Sequence, residues 1–161
     1  MEPTFFETLE QWRSWLATHH ESAKELLVGF YKVGSGHASI TWPESVDGTL
    51  CFGWIDGVRR SLGAESYTIR FTPRKARSIW SAVNVARVAD LTQQGLMQSA
   101  GLRAVAARQE SRTGVYAFEQ AEISFSSAQT ERFQANAAAW EQFQAKAAWF
   151  CKRAIFKVRQ R

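Results

Sequence analysis

Between Arg70 and Asn84 the chain reads RFTPRKARSIWSAVN, which brings four cations, two serines, a tryptophan and an asparagine into one short segment. Arg74, Lys75 and Arg77 precede a run with helical periodicity, and Ser78 and Ser81 stand where the first free backbone N–H groups of that helix would be. Guanidinium forks beside a helix N-terminus suit a phosphate or a carboxylate. Trp80 could stack on a ring, and Asn84 follows one helical turn later. The plainer alternative is that Ser81 only caps the helix, Trp80 is core and the arginines are solvated. The glycine spacing of a phosphate-binding loop or dinucleotide fingerprint is absent, so nucleotide enzymes of those kinds are disfavoured.

Just upstream, CFGWIDGVRRSL places Asp56 inside an expected strand, between Ile55 and Gly57. Aspartate is disfavoured there, and a buried carboxylate must be paired or hydrogen-bonded. Arg59, Arg60, Arg70, Arg74 and Lys32 are the cations that could fix it. The structural reading is an Asp–Arg pair that sets strand register; the functional one is an acid or base at a pocket mouth. Cys51 would need a base to act as a nucleophile, and His37 is the one candidate near it in sequence. A buried small thiol is the ordinary alternative. Tyr31, Trp42 and Trp54 near Lys32 could line an aromatic pocket or simply be core. His19-His20 reads as a solvated helix end rather than a metal site, since no further ligand stands at the right spacing.

These residues need a scaffold. A chain of 161 residues is one domain's worth,. Apolar content of 45% and charged content of 22% describe an ordinary soluble globular protein,. No run is long enough to span a bilayer, and the acidic start, MEPTFFETLEQW, does not resemble a secretory signal. Two distant cysteines, Cys51 and Cys151, suggest reduced thiols and a cytoplasmic location. The formal charge is +5, but Lys146, Lys152, Arg153, Lys157, Arg159 and Arg161 crowd the last sixteen residues without an acid. The excess is therefore a property of the tail. That tail, with Trp149, Phe150, Ile155 and Val158 among its charges, reads as an amphipathic helix with a basic outer face, suited to nucleic acid or an anionic membrane if it is not merely solvated.

The chain order predicts an α+β fold. Thr8 and Gln11 form a capping box for a helix over about 9–18. Glu25–Val33 is a strand, and His37–Trp42 a short strand or extended arm. Pro43 opens a helix to about Leu50, weakened by Gly48. Phe52–Leu62 and Ser66–Phe71 form a hairpin about Gly63. On a regular strand Trp54, Asp56, Val58 and Arg60 share one face, and Tyr67, Ile69 and Phe71 share a face of the next. Ser81 caps a helix ended by Gly95, and Ser99 caps another. Residues 110–118 read as a loop, and Ser126 with Gln129 opens a helical end. The expected plan is a small antiparallel sheet packed by helices over residues 1–110, then a C-terminal helical pair over 119–161, as one domain.

Trp15-Leu16, TLCFGWIDG (Thr49–Gly57), RFTPRKARSIWSAVN (Arg70–Asn84), Leu91 with Gly95-Leu96-Met97, and Gly101-Leu102 together resemble the YdeI/OmpD-associated family, also labelled bacteriocin-protection proteins. The resemblance spans nearly the whole chain. It implies a bacterial cytoplasmic protein of stress or antimicrobial-peptide tolerance, with no settled activity. Members usually close with a longer basic helix than the one ending here in Lys157-Val158-Arg159. The reading that unites these features is a small anionic ligand, or an acidic partner surface, held between the second and third long strands and the Ser81 helix. Arg74, Arg77 and Ser78 would hold the anion, Trp54 and Trp80 would wall it, and Asp56 would orient an arginine. An enzyme acting on an anionic small molecule through Asp56 or Cys51, and a nucleic-acid binder acting through the tail, are the rivals. No cofactor and no metal is implied, and oligomeric state is not encoded in any motif.

Overall fold

The computed structural model describes residues 2–116, 119 and 123–159. Ala117 and Phe118 of the expected loop, and Arg161 of the basic tail, lie outside them. The chain divides into two compact units, Met1–Arg112 and Thr113–Arg161.

The first unit runs β1 (Thr4–Phe5), α1 (Leu9–His19), β2 (Leu26–Tyr31), α2 (Trp42–Cys51), β3 (Trp54–Leu62), β4 (Ser66–Pro73), α3 (Ala82–Gln93) and α4 (Ser99–Ala106), followed by one 3-10 turn at Glu110–Arg112. The sheet order is β1-β2-β4-β3, with β1 parallel to β2 and the other pairs antiparallel. The two-residue strand β1 was not expected, because Thr4-Phe5 has no periodicity of its own. The segment 37–41 is the extended arm and not a strand; Ile40 N–H donates to Phe6 O at 3.0 Å.

Local chemistry explains the helices. Thr8 and Gln11 form the capping box of α1, and Thr41 and Glu44 form one on α2,. The Thr41 N–H donates to the Glu44 carboxylate at 2.8 Å, and this hydrogen bond holds Glu44 below its ordinary pKa,. Ser81 caps α3 by accepting from Asn84 N–H. Ser99 does not cap α4: it is the helix's first residue, and Gln98 at the cap position turns its side chain back to donate to Leu96 O at 3.3 Å and makes no capping bond. Gln98 instead sends its backbone N–H to Cys51 O at 3.0 Å.

Trp12, Leu16, Val28, Phe30, Leu50 and Phe71 are fully buried where α1, α2 and the sheet meet. The Trp12 indole N–H donates to Ser45 O at 3.1 Å, and its ring lies over Gly48. Arg87 of α3 grips Asp47 of α2 with two bonds of 2.7 Å, which holds its charge firmly,.

The expected alternation on β3 fails part-way. Asp56 pairs with Phe71, but Arg59 pairs with Ile69, so one extra residue is inserted as a bulge,. Trp54 and Asp56 face the core side; beyond the bulge Arg59 and Ser61 take that row, while Arg60 moves to the other face,. Phe52 and Gly53, read as strand, form the turn into β3.

The second unit holds α5 (Ser127–Gln134), α6 (Ala137–Gln144) and α7 (Ala148–Arg159). The α+β plan with a helical C-terminal end holds. Among the described residues that end has three helices, because Asn136 caps a new one by accepting from Ala139 N–H at 3.0 Å. Phe125, Phe133, Trp140 and Phe143 form a cluster of edge-to-face, tilted and stacked ring pairs at centroid distances of 5.2–6.1 Å,.

Gly48→Ala tests which effect governs α2. Helix propensity alone would stabilise the variant by ~1 kcal/mol. A Cβ there would sit 2.8 Å from the Trp12 ring, so overpacking should reverse the sign and destabilise by about 1–3 kcal/mol. Urea unfolding of the two chains checks this; a more stable variant refutes the packing account.

Candidate functional site

The end of α2 sets the site. Gly53 adopts φ +72 as the chain turns into β3, and its carbonyl accepts from Arg74 N–H at 2.9 Å. This ties the start of β3 to the residue after β4. α4 then packs against the same turn. A Cβ at Gly101 would strike Cys51 O, and one at Gly53 would sit 2.8 Å from Ala100 O,. Both glycines therefore allow backbone to touch backbone.

The hollow left between these elements has a volume of about 330 Å³. Its floor is Phe52, Gly53, Trp54, Pro73 and the alanines of α4; its polar rim is His20, Glu21, Arg74, Lys75 and Arg103. Three cations from two distant segments thus face one carboxylate. Glu21 is 3.3 Å from Arg103 and 3.7 Å from His20. The His20 Nδ1 lies 2.8 Å from Leu16 O, so that nitrogen carries the proton of the neutral ring and Nε2 is the basic atom,. The Arg74 guanidinium stacks 3.7 Å above the Trp80 ring and donates to Ile79 O at 3.3 Å,.

Of the expected residues, Trp54 and Arg74 meet in this hollow. The others lie elsewhere. Trp80 is buried, 2% exposed, beneath Arg74, and its backbone N–H donates to Arg112 O. Arg77 is exposed, and its carbonyl accepts from the Arg112 guanidinium. Ser78 closes a turn, its hydroxyl accepting from Lys75 N–H at 3.0 Å. Ser81 spends its hydroxyl on Asn84 N–H, so the start of α3 is satisfied internally. Arg70 pairs with Glu25 at 3.1 Å. The expected Asp56–Arg pair is replaced by a bond from Trp42 Nε1 to the Asp56 carboxylate at 3.0 Å.

The helix bordering the hollow is accordingly α4, not the Ser81 helix. No residue of α3 lines the hollow. His20, Glu21 and Arg103 could not be found from sequence, since each is an ordinary surface residue in its own segment; Lys75 at least belonged to the visible cationic run.

Cys51 is fully buried, and its sulfur accepts from the Arg13 guanidinium at 3.5 Å. Burial pushes the thiol's pKa above its ordinary value despite that cation,. The base considered for it, His37, instead stacks on Tyr31 at 4.4 Å. Among the described residues no three His, Cys, Asp or Glu side chains converge as a metal site, and no helix is long and apolar enough to cross a membrane.

Residues 4–104 match the family model for DUF8412, a domain of unknown function. The chain belongs to this family. The match contains α1 to most of α4 and every residue lining the hollow except Ala107. No curated protein and no solved structure matches the chain.

A thiol-specific disulfide reagent at neutral pH should label the half-buried Cys151 of the native protein and leave Cys51 until the chain unfolds. Because the folded Cys51 pKa is raised, the unfolded thiol ionises first, so its contribution to stability declines as pH climbs past the ordinary thiol pKa toward the folded one,. Rapid native labelling at both positions would show that the α2–β3 turn opens readily.

Proposed function

We propose that the protein binds a small anionic ligand in the hollow between Arg74, Lys75 and Arg103. One observation carries the reading: cations from the β4 exit and from α4 line the same apolar-floored cavity, with only Glu21 of opposite sign on its rim. A cavity of about 330 Å³ is of small-metabolite size,. An acidic loop of a partner protein would satisfy the same rim. The resemblance of the Thr49–Gly57 and Arg70–Asn84 motifs to the YdeI/OmpD-associated family supports a role in bacterial stress or antimicrobial tolerance for this binding.

Thermal unfolding in phosphate, citrate and a panel of mono- and dicarboxylates tests it. A true ligand at a hundredfold its Kd adds about 2.7 kcal/mol to the folded state. Lys75 and Arg103 are exposed, so the Lys75→Ala/Arg103→Ala double variant should fold and lose most of that stabilisation. Arg74→Lys keeps the charge and removes the planar stack on Trp80. Full retention of the shift in the double variant, or no shift with any anion, would falsify the proposal.

A second reading rests on α7. Trp149 is 67% exposed and Phe150 43%, and they line a shallow groove with Arg153 and Lys157. Exposed rings interleaved with cations suit single-stranded nucleic acid, where bases stack and phosphates pair. Binding of an oligothymidylate should weaken steeply with salt, and Arg153→Gln/Lys157→Gln should flatten the slope by about 1–2. Trp149→Ala should cost roughly tenfold in affinity. Salt-independent or undetectable binding removes this reading.

A further inference from the structure

We propose a second ligand site, for a planar aromatic anion, in the groove between the 31–43 segment and the β3–β4 hairpin. The groove measures about 560 Å³ and is walled by Tyr31, His37, Trp42 and Tyr67, with Arg59 at its side. None of its lining residues is acidic.

The bulge in β3 points to this use. In a regular strand Val58 would occupy the row that ends over Tyr67. The extra residue expels Val58, which is 78% exposed, and swings Arg59 in its place,. The Arg59 guanidinium then lies 3.5 Å over the Tyr67 ring. The distortion depends on Gly57, where a Cβ would come within 2.9 Å of Arg70 O. The bulge thus exchanges Arg60, which regular pairing would set opposite Tyr67, for Arg59, whose guanidinium stacks on that ring beside the groove.

The walls are held in place. Tyr31 is sandwiched between Phe5 at 4.5 Å and His37 at 4.4 Å. Trp42, 48% exposed, is fixed by its bond to Asp56. Tyr67 stacks on buried Phe30 at 5.0 Å. Lys32 spends its ammonium on the carbonyls of Ala64, at 2.6 Å, and Gly63, so it braces the hairpin turn rather than serving a ligand. A half-exposed indole offers a flat face, and a guanidinium offers both a plane to stack on and a fork for an oxyanion. A ring bearing a carboxylate satisfies both; an aliphatic anion satisfies only the second, and a neutral ring only the first.

The two indoles report separately. Trp42 lines this groove, while Trp54 lines the other hollow and donates its N–H to His20 O at 3.0 Å. The full-length protein, labelled with 15N, would be titrated with 1-naphthoate, cyclohexanecarboxylate and 2-naphthalenemethanol while the indole N–H resonances are followed. Trp42→Phe assigns its own peak. The expected result is a saturable shift of the Trp42 resonance with 1-naphthoate, about tenfold weaker binding of the other two probes, and a comparable loss in Arg59→Gln. Because Arg59 is exposed at the sheet edge, that variant should fold, and unchanged dispersion of the other peaks verifies it. Lys75→Ala/Arg103→Ala should leave this titration untouched whatever becomes of the first cavity. A shift that never saturates, one undiminished in Arg59→Gln, or one seen at Trp54 instead would overturn the proposal.

Discussion

The passage from Leu50 to Trp54 is the constraint on which the first unit depends. Three other segments, the end of β4, α4 with its cap, and α1, are anchored there by direct contacts. Arg74 bonds to Gly53 O, Gln98 to Cys51 O, Gly101 lies flush against the carbonyls of Leu50 and Cys51, and Arg13 reaches the Cys51 sulfur. Such contacts tolerate little displacement, because carbonyls buried without donors would each cost roughly 1–3 kcal/mol. The hollow is therefore a consequence of the turn. Chains that must all touch the same few backbone atoms, but carry different side chains away from it, leave space beside it.

The charged residues divide by how fully their bonding capacity is already used. Arg87 is committed to Asp47 in a bidentate pair that ties α3 to α2, and Arg13 divides its donors between Cys51 and Leu96 O. Arg70 is balanced by Glu25 across the sheet face. Arg74 serves structure and cavity together, since its plane covers Trp80 while it borders the hollow. Lys75, Arg103 and Arg59 are exposed cations set beside concave surface. Recognition chemistry is more readily assigned to these because each borders a concavity, whereas Arg70, equally exposed and also paired with a glutamate, lines none of those hollows.

Much of the architecture was legible because its signals are local. Capping boxes need only residues three apart, and Thr8–Gln11 and Ser126–Gln129 act as their spacing implied. The hairpin at Gly63 and the shared face of Tyr67, Ile69 and Phe71 were readable for the same reason, although Thr68 on the opposite face is buried as well. The bulge was not, because it answers to a contact between Gly57 and a carbonyl of the neighbouring strand, and nothing within β3 announces that partner. The cationic run after β4 was correctly seen as dense, but density does not say which members point together. Arg74 and Lys75 reach the hollow, while the turn closed by Ser78 sends Arg77 elsewhere. Arg103 and Glu21 stand eighty-two positions apart and meet only through the packing of α4 beside the end of α1.

That last pair bears on what the proposed anion site would select. Arg103 and Glu21 are both largely exposed, at 65% and 74%, and such a surface pair is worth no more than about 1 kcal/mol. An incoming anion must displace or share Glu21, which is a small cost set against a contact with two or three cations. A monoanion would replace one carboxylate by another at Arg103 and gain mainly at Lys75 and Arg74. A dianion such as phosphate or a dicarboxylate can hold both sides at once, and its second charge is the net advantage over the resident carboxylate. On the proposed reading Glu21 would act as an internal competitor, raising the threshold for single charges while leaving the cavity open to double ones.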